Sequence, residues 1–546
     1  MRSTMMDTPL SLATLLRHAE RVHGGATVTT ATEHGSRKAT FRECARRASR
    51  LAHALRGLGV VGDERVATFM WNNQEHFEAY MAVPAMGAVL HTLNIRLPPA
   101  EVAFIANAAS DHVVLVDASL LPLFMGIVGD CITVAHVVVV GEAEPAALEA
   151  LAASGKSVHP YEALLAEAPE EPFDYPVVDE REACAIAFTS GTTGSPKGVS
   201  YSHRSAMLHS MQLCLGDSTA VGSSDRILAV VPMFHVCAWG LPWAAMLVGA
   251  SLVFTDRFLQ PDAVARLIVA ERPTFAGAVP TIWTALLHHV DQHPVDLSSF
   301  RMVLVGGSAC PPSLMRAFEE RHRMKIVHAW GMTETSPLGS VAVPPEGVTG
   351  EEAWAYRVTQ GRLSAFVEAK LLGPDNQEIP HDGATSGELC VRGPWVTGSY
   401  YPENDPEKFD DGWLRTGDVG TLSPTGYLTL TDRAKDVIKS GGEWISSVAL
   451  ENHLMAHPDV LEACVVGVPD EKWGERPLAC VVPRPGKSPT FRDLKASLTD
   501  KVAKWQLPER WTELASVPKT SVGKFDKKRV RADYAAGKLV VERVEG

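Results

Sequence analysis

Short apolar runs, most of them Val-rich, recur through the first 307 residues, most of them ending on glycine, proline or a polar turn. RVATFMW (65–71), VVLVD (113–117), HVVVV (136–140), Val230-Val231-Pro232 and Val303-Leu304-Val305-Gly306-Gly307 are of this kind. Such runs are too short for a helix, and continuous apolarity suits a strand buried on both faces. Helical patterns lie between them. Thr40 with Glu43 forms a capping box and opens a helix with Leu51, Leu55 and Leu58 on one face. The alternation predicts an α/β fold in which helices cover a parallel sheet. In such sheets ligands bind where the strands end.

At 546 residues the chain is long enough for two to four compact units. Net charge is −13, which excludes a general nucleic-acid surface and requires any anionic substrate to be held by local cations. Nine cysteines without a C-x-x-C pair read as free thiols in a reducing, cytoplasmic compartment, with no zinc site. The apolar SLATLL near the start is cut short by Arg17 and His18, so no signal peptide is expected. No Asp, Glu, Lys or Arg lies between Arg226 and Asp256, but Pro232, His235 and Pro242 argue against a membrane span. The expectation there is a buried strand, a core helix from about Cys237 to Leu247, and a second strand SLVF. Residues 142–180, rich in Ala, Glu and Pro, read as a solvated helix and linker without chemistry.

From about residue 365 the texture changes. VEAKLL, GELCVRG and GYLTLTD are short strands between turns, which predicts a separate β-rich unit closing the large domain. The charged stretch from Asp432 to Asp436 is the candidate boundary. Beyond it a small α+β region is expected: a helix near 447–456, strands VLEACVVGV and LACVVP, and a helix within 491–504.

Five motifs carry chemistry. The apolar run ACAIAF leads into Thr189-Ser190-Gly191-Thr192-Thr193-Gly194-Ser195-Pro196-Lys197. Glycines let the backbone approach a ligand, and hydroxyls with an ammonium suit a polyphosphate. It is not a Walker A motif, because Pro196 precedes Lys197. Trp330-Gly331-Met332-Thr333-Glu334-Thr335 combines an aromatic for a base, a hydroxyl for phosphate and a carboxylate for Mg²⁺. Taken alone it is a capped turn. Arg415-Thr416-Gly417-Asp418 is either an Asx-type turn or a carboxylate accepting from a ribose diol, with Arg433 as a second ribose or phosphate ligand or a solvated charge. Lys439-Ser440-Gly441-Gly442-Glu443-Trp444 is a second Gly loop. Pro518 to Lys524 places a lysine after a flexible turn.

Together and in this order, the five motifs resemble the adenylate-forming superfamily of acyl-CoA synthetases, luciferases and adenylation domains. The resemblance covers essentially the whole chain. VPMFHVCAWGLPWAAMLVGA (231–250) and IKSGGEWISSVALE (438–451) are similar to bacterial medium- to long-chain fatty acyl-CoA synthetases. The resemblance implies an ATP-dependent acyl-CoA synthetase working through an acyl-adenylate, with ATP, Mg²⁺ and coenzyme A. The alternatives are a ligase for a short thioether acid such as 3-methylmercaptopropionate or an aryl acid, and an acyl-AMP ligase without CoA transfer. It implies a large N-terminal domain of layered α/β sheets (1–431), a hinge (432–437) and a small mobile C-terminal α+β domain (438–546).

By the same matching, Lys524 contacts the carboxylate and α-phosphate, Lys197 lies near the β- and γ-phosphates, and Thr189 and Glu334 are associated with Mg²⁺. Asp418 and Arg433 hold ribose. Gly307, Ser308, Ala309 and Trp330 enclose adenine. His235 borders the acyl site, Trp239 gates the acyl tunnel, and the small Gly306 leaves room for the chain. Lys435 is the hinge residue, and Gly441 and Gly442, with Lys439, Glu443 and Trp444, form the pantetheine loop. Tryptophan at 330 departs from the family's usual tyrosine, and Ser364 stands where many relatives have proline. Relatives form homodimers through N-terminal segments. The MRSTMMDTPL start resembles such a segment, with an exposed tail as the alternative.

Overall fold

The computed structural model describes residues 1, 3–189, 196–373, 375–402, 405–440, 443–521 and 523–544, with the backbone alone at 443 and 444. Three sheets organise it. In the first, the strands run in the order Ser157–Pro160, His136–Val140, Asp111–Asp117, Arg65–Phe69, Val89–Thr92, Ala183–Thr189 and Lys197–Ser202. All are parallel except the last, which turns back on Ala183–Thr189 with Thr189 opposite Lys197.

The second sheet carries parallel strands Ser251–Phe254, Arg226–Ala229, Phe275–Ala278, Met302–Val305 and Ile326–Gly331 side by side. It does not stop there. Leu338–Val341 pairs antiparallel with Ile326–Gly331, and Gly361–Leu363, Tyr427–Arg433, Trp413–Leu422, Gly387–Arg392 and Glu368–Leu372 extend the same ladder. The β-rich stretch expected as a separate unit is therefore continuous with the parallel sheet. The hydrophobic pattern identifies its strands correctly, but it does not encode which edge they join.

Helices Phe41–Gly57, Gln74–Ala85, His203–Cys214 and Leu241–Val248 contribute to one buried cluster with strand residues of both sheets, Leu90, Val113 and Ala185 from the first and Ile227, Leu252 and Leu304 from the second. These helices are thus sandwiched. Gln74–Ala85 is buried along its whole length, so its polar groups need partners. Glu78 accepts from Arg47 Nε (2.7 Å), Gln74 Nε2 (2.8 Å) and the phenol of Tyr161 (2.6 Å). Burial still pushes the Glu78 carboxyl up to about 7. Tyr161 lies in the 142–180 stretch read as solvated. That stretch instead adds strand Ser157–Pro160 to the sheet and buries Tyr161 against this helix.

Between Val236 and Gly240 the expected helix is absent. Val236, Cys237, Ala238, Trp239 and Gly240 all have positive φ, from 46° to 71°. The helix proper is Leu241–Val248, with Pro242 in its first turn. Proline fits there because that N–H has no partner anyway, and the helix cannot run through it. The expected helix within 491–504 ends at Leu498. Among the described residues no helix is long and apolar enough to cross a membrane.

The chain leaves the second sheet after Arg433 and enters the third at Ile438. The third sheet contains Ile438–Ser440, Glu443–Ile445, the long hairpin Val460–Asp470 and Gly474–Pro483, Arg510–Glu513 and Glu542–Arg543. Helices Ser447–Met455 and Phe491–Leu498 bury Leu450, Leu454, Leu494 and Leu498 against it.

Gly361 joins the antiparallel strands to the parallel sheet at close quarters. Its φ is +95°, and a Cβ there would lie 2.0 Å from the Val341 carbonyl carbon. Gly361→Ala is expected to cost about 3 kcal/mol and lower the thermal midpoint. Gly57→Ala, in a helix with nothing near its Cβ, is the matched control and is expected to hold or raise the midpoint. Equal midpoints for the two variants, by thermal denaturation, would contradict the account of this junction.

Candidate active site

The C-terminal ends of the parallel strands of the second sheet converge on one cleft. Arg226–Ala229 leads to His235, Phe275–Ala278 to Val279 and Thr281, Met302–Val305 to Gly306 and Gly307, and Ile326–Gly331 to Glu334. Each strand ends in a turn, so each presents backbone and one or two side chains to the same space.

Lys524 enters this cleft from the far end of the chain. A hairpin turn carries it, with Thr520 N donating to Lys524 O (2.7 Å) and Gly523 N to Thr520 O (2.9 Å). Two hydrogen bonds seat the turn on the large unit: Asn94 Nδ2 to Ser521 Oγ (3.2 Å) and Thr281 Oγ1 to Gly523 O (3.2 Å). Gly307 makes room for the lysine stem. Its φ is +82°, and a Cβ at 307 would lie 3.4 Å from Lys524 Cε and 3.3 Å from Val279 Cγ1. Burial, then the nearby Arg433, pushes the Lys524 ammonium down to about 8, against the pull of Asp418 and Glu334. His235 faces the same ammonium. Burial and then Lys524 push its imidazole down to about 3, so it is neutral at ordinary pH.

Asp418 forms a second corner. It pairs across the ladder with Arg433, and Oδ1 lies 3.2 Å from Arg433 Nε. Oδ2 accepts from the indole N–H of Trp330 at 2.7 Å. Trp330 is therefore tied to the carboxylate through its ring edge, besides lying at the strand end where an adenine wall was expected. Ser308 is exposed, Gly307 and Ala309 are half-buried, and Gly331 and Met332 are half-buried beside them.

The third corner holds Thr189 and Lys197, paired across neighbouring strands. Lys197 Nζ lies 2.5 Å from Asp405 Oδ2 and 5.2 Å from the centre of the Tyr400 ring. The Tyr400 hydroxyl donates to Glu334 Oε1 at 2.7 Å, and Thr397 N donates to Glu334 O at 2.8 Å. Gly198 and Tyr401 exchange both backbone hydrogen bonds, fixing the hairpin to this segment. Thr189 Oγ1 lies 3.3 Å from Lys197 O, to which it donates. Among the described residues no three His, Cys, Asp or Glu side chains gather into a metal-holding group. A Mg²⁺ that rides on nucleotide phosphates needs only one or two protein oxygens. The buried Glu334 carboxylate, anchored through one oxygen, and the Thr189 hydroxyl fit that requirement.

The fourth corner is apolar. The left-handed turn at 236–240 costs its non-glycine residues about 1 kcal/mol each and is stitched in place by neighbours. The phenol of Tyr80 donates to Met233 O (2.5 Å) just before it. The turn lays the Trp239 ring over two glycines: Cβ atoms at Gly277 and Gly306 would each stand 3.4 Å from it.

Thus Lys524, His235, Glu334, Asp418, Arg433, Gly306, Gly307 and Trp239 come together. Lys435 is exposed on the segment between the sheets, where partial desolvation and then Arg433 lower its pKa, and Lys439 is exposed in strand Ile438–Ser440 of the third sheet. Glu443 and Trp444 lie in strand Glu443–Ile445, opposite Ser440 and Lys439. Ser190, Gly191, Thr192, Thr193, Gly194, Gly441 and Gly442 lie outside the described residues. Sequence reading missed Tyr400, Asp405, Asn94 and Thr281. No local pattern marks them, since each acts on a motif residue more than sixty positions away.

This geometry has counterparts. The family model for AMP-binding enzymes matches residues 16–401, and that for the AMP-binding enzyme C-terminal domain matches 449–524. The chain is 41% identical over 538 residues to a 3-methylmercaptopropionyl-CoA ligase of Ruegeria lacuscaerulensis, covering 98% of this chain and 99% of the relative. It is 44% identical over 541 residues to a long-chain-fatty-acid–CoA ligase of Thermus thermophilus, covering 97% of each. Among solved structures, an anthranilate CoA ligase in complex with anthranoyl-AMP matches with a TM-score of 0.87 at 25% identity, over 98% of this chain and 100% of that one. With both family models matched in order along the chain, and relatives alike from end to end, this protein belongs to the AMP-binding, adenylate-forming enzyme family.

Proposed function

We propose that the chain is an AMP-forming acid–CoA ligase that activates a medium- to long-chain carboxylic acid as its adenylate and then transfers the acyl group to coenzyme A. The observation that carries this reading is the seat of Lys524 on Gly307, beside His235 and facing Asp418 and Glu334. In the first step a substrate carboxylate oxygen attacks the α-phosphorus of ATP, and the bond to the β-phosphate oxygen breaks. Two anions must meet, so fixed cations are needed. Lys524 neutralises the carboxylate and α-phosphate. Lys197, turning from Asp405, holds the departing pyrophosphate. Asp418 and Arg433 hold the ribose, and the neutral His235 adds a dipole without a competing charge. Mg²⁺ held by Glu334 and Thr189 would supply charge neutralisation across the phosphates.

In the second step the thiol of coenzyme A attacks the acyl carbonyl and AMP leaves. We assign the division at 432–437 to a hinge about Lys435, between a large domain (1–431) and a small one (438–546). Rotation there withdraws Lys524 and brings the loop at 441–442 to the site. The reading of this arrangement as the one for adenylation is supported by Asn94 and Thr281, which hold the lysine turn in place.

A second reading, a short thioether acid as substrate, is favoured by Trp239. Its ring occupies the space over Gly277 and Gly306 that a longer alkyl chain would need, and the Ruegeria relative is named for such an acid.

Lys524→Ala should lower adenylation, followed by pyrophosphate exchange, by at least about a hundredfold. The same variant should still convert supplied acyl-adenylate and coenzyme A to thioester; equal loss of both half-reactions would contradict the hinge. The kcat/KM for ATP should fall as pH rises through about 8, because the lysine loses its proton there and with it the positive charge. Lys524→Arg should move that fall to higher pH; an unchanged profile in Lys524→Arg would assign it to another group. Trp239→Ala should raise the preference for longer acids by about tenfold across a panel from butyrate to palmitate with 3-methylmercaptopropionate and benzoate. An unaltered panel would remove Trp239 from chain-length choice.

A further inference from the structure

The indole of Trp330 is placed for more than contact with a base. It ends strand Ile326–Gly331 and is 6% exposed. It belongs to one buried cluster with Val367, Leu371, Leu389 and Leu428. Its ring fills a slot that exists only because residue 339, on the facing strand, is glycine. A Cβ at Gly339 would stand 2.2 Å from Trp330 Cζ3. A ring held this tightly has one polar atom to place, and Nε1 points at Asp418 Oδ2, 2.7 Å away. Asp418 is 5% exposed, and its other oxygen faces Arg433. Its backbone N–H is taken by Thr416 Oγ1 at 3.0 Å.

We propose that Trp330 is a positioning residue for ribose recognition: its N–H, with Arg433 on the opposite oxygen, fixes the plane of the Asp418 carboxylate. The inference rests on reading Asp418 as the ribose acceptor and goes beyond it. A carboxylate has about four acceptor directions. Trp330 and Arg433 each occupy one, on different oxygens, so the carboxylate does not turn about its Cβ–Cγ bond. The remaining directions face the cleft and accept two ribose hydroxyls together. Arg433 alone leaves the group free to rotate, because a single ion pair on one oxygen sets no plane.

The test is binding of AMP, 2′-deoxy-AMP and 3′-deoxy-AMP to the full chain by calorimetry, with thermal midpoints as the fold control. Wild type is expected to prefer AMP to the deoxy forms by about tenfold or more, the worth of a hydrogen bond to a charged group. Trp330→Phe should weaken AMP by about tenfold and leave the deoxy forms within about twofold, so that discrimination collapses. Gly339→Ala, which displaces the ring without removing its N–H, should give the same collapse. Equal weakening of all three nucleotides, or discrimination unchanged in both variants, would overturn the proposal while leaving Asp418 as ribose acceptor. A wild type that does not discriminate would overturn the ribose reading, and this inference with it.

Discussion

One ammonium has to be carried into a cleft that a different part of the chain builds. Lys524 reaches the strand ends only because its turn docks on Asn94 and Thr281 and its stem crosses Gly307. Two charges of each sign surround it: Arg433 and Lys435 against Asp418 and Glu334. That balance lets a chain of net charge −13 keep cations at one spot without bound anions to neutralise them. Burial is the main origin of the lysine's depressed pKa, with Arg433 adding to it, and the two carboxylates only partly offset that cost.

The sheets supply the framework for this arrangement. The parallel part of the second sheet ends in the turns that carry His235, Gly307 and Glu334. Its antiparallel extension brings Asp418 and Arg433 beside Trp330, although they lie far along the chain. The first sheet contributes strand Lys197–Ser202, tied to the segment at 397–401 by the Gly198–Tyr401 pair, while Tyr400 and Thr397 of that segment bond to Glu334. Helix Gln74–Ala85 lies between the two sheets, its acids answered by Arg37, Arg47 and Tyr161. The two sheets share one buried core, so the Lys197–Glu334 corner and the Asp418–Arg433 corner sit on one base while Lys524 is delivered from outside it.

Much of this was readable from residue order. Buried strands announce themselves by apolar runs, and HVVVV, VVLVD and SLVF all form strands where expected. The Thr40–Glu43 capping box starts its helix. Other features were not readable. Cys237 to Leu247 is apolar enough for a helix, yet its first residues are left-handed. That choice is enforced by Pro242 and by packing of Trp239 on Gly277 and Gly306, none of which hydrophobic periodicity records. Tyr161 looked solvated because its partner Glu78 is eighty-three positions away. Tyr400 and Asp405 were missed for the same reason.

The sequence by itself determined the α/β class, the motif order, and through them the family. These depend on local periodicity and on short motifs, and both are properties of neighbouring residues. Only the tertiary structure decided that the β-rich strands extend the parallel sheet, that the lysine turn is seated on Asn94 and Thr281, and that Trp330 spends its N–H on Asp418. Each of those joins residues far apart along the chain through a hydrogen bond or a close contact whose geometry exists only once the sheets have packed.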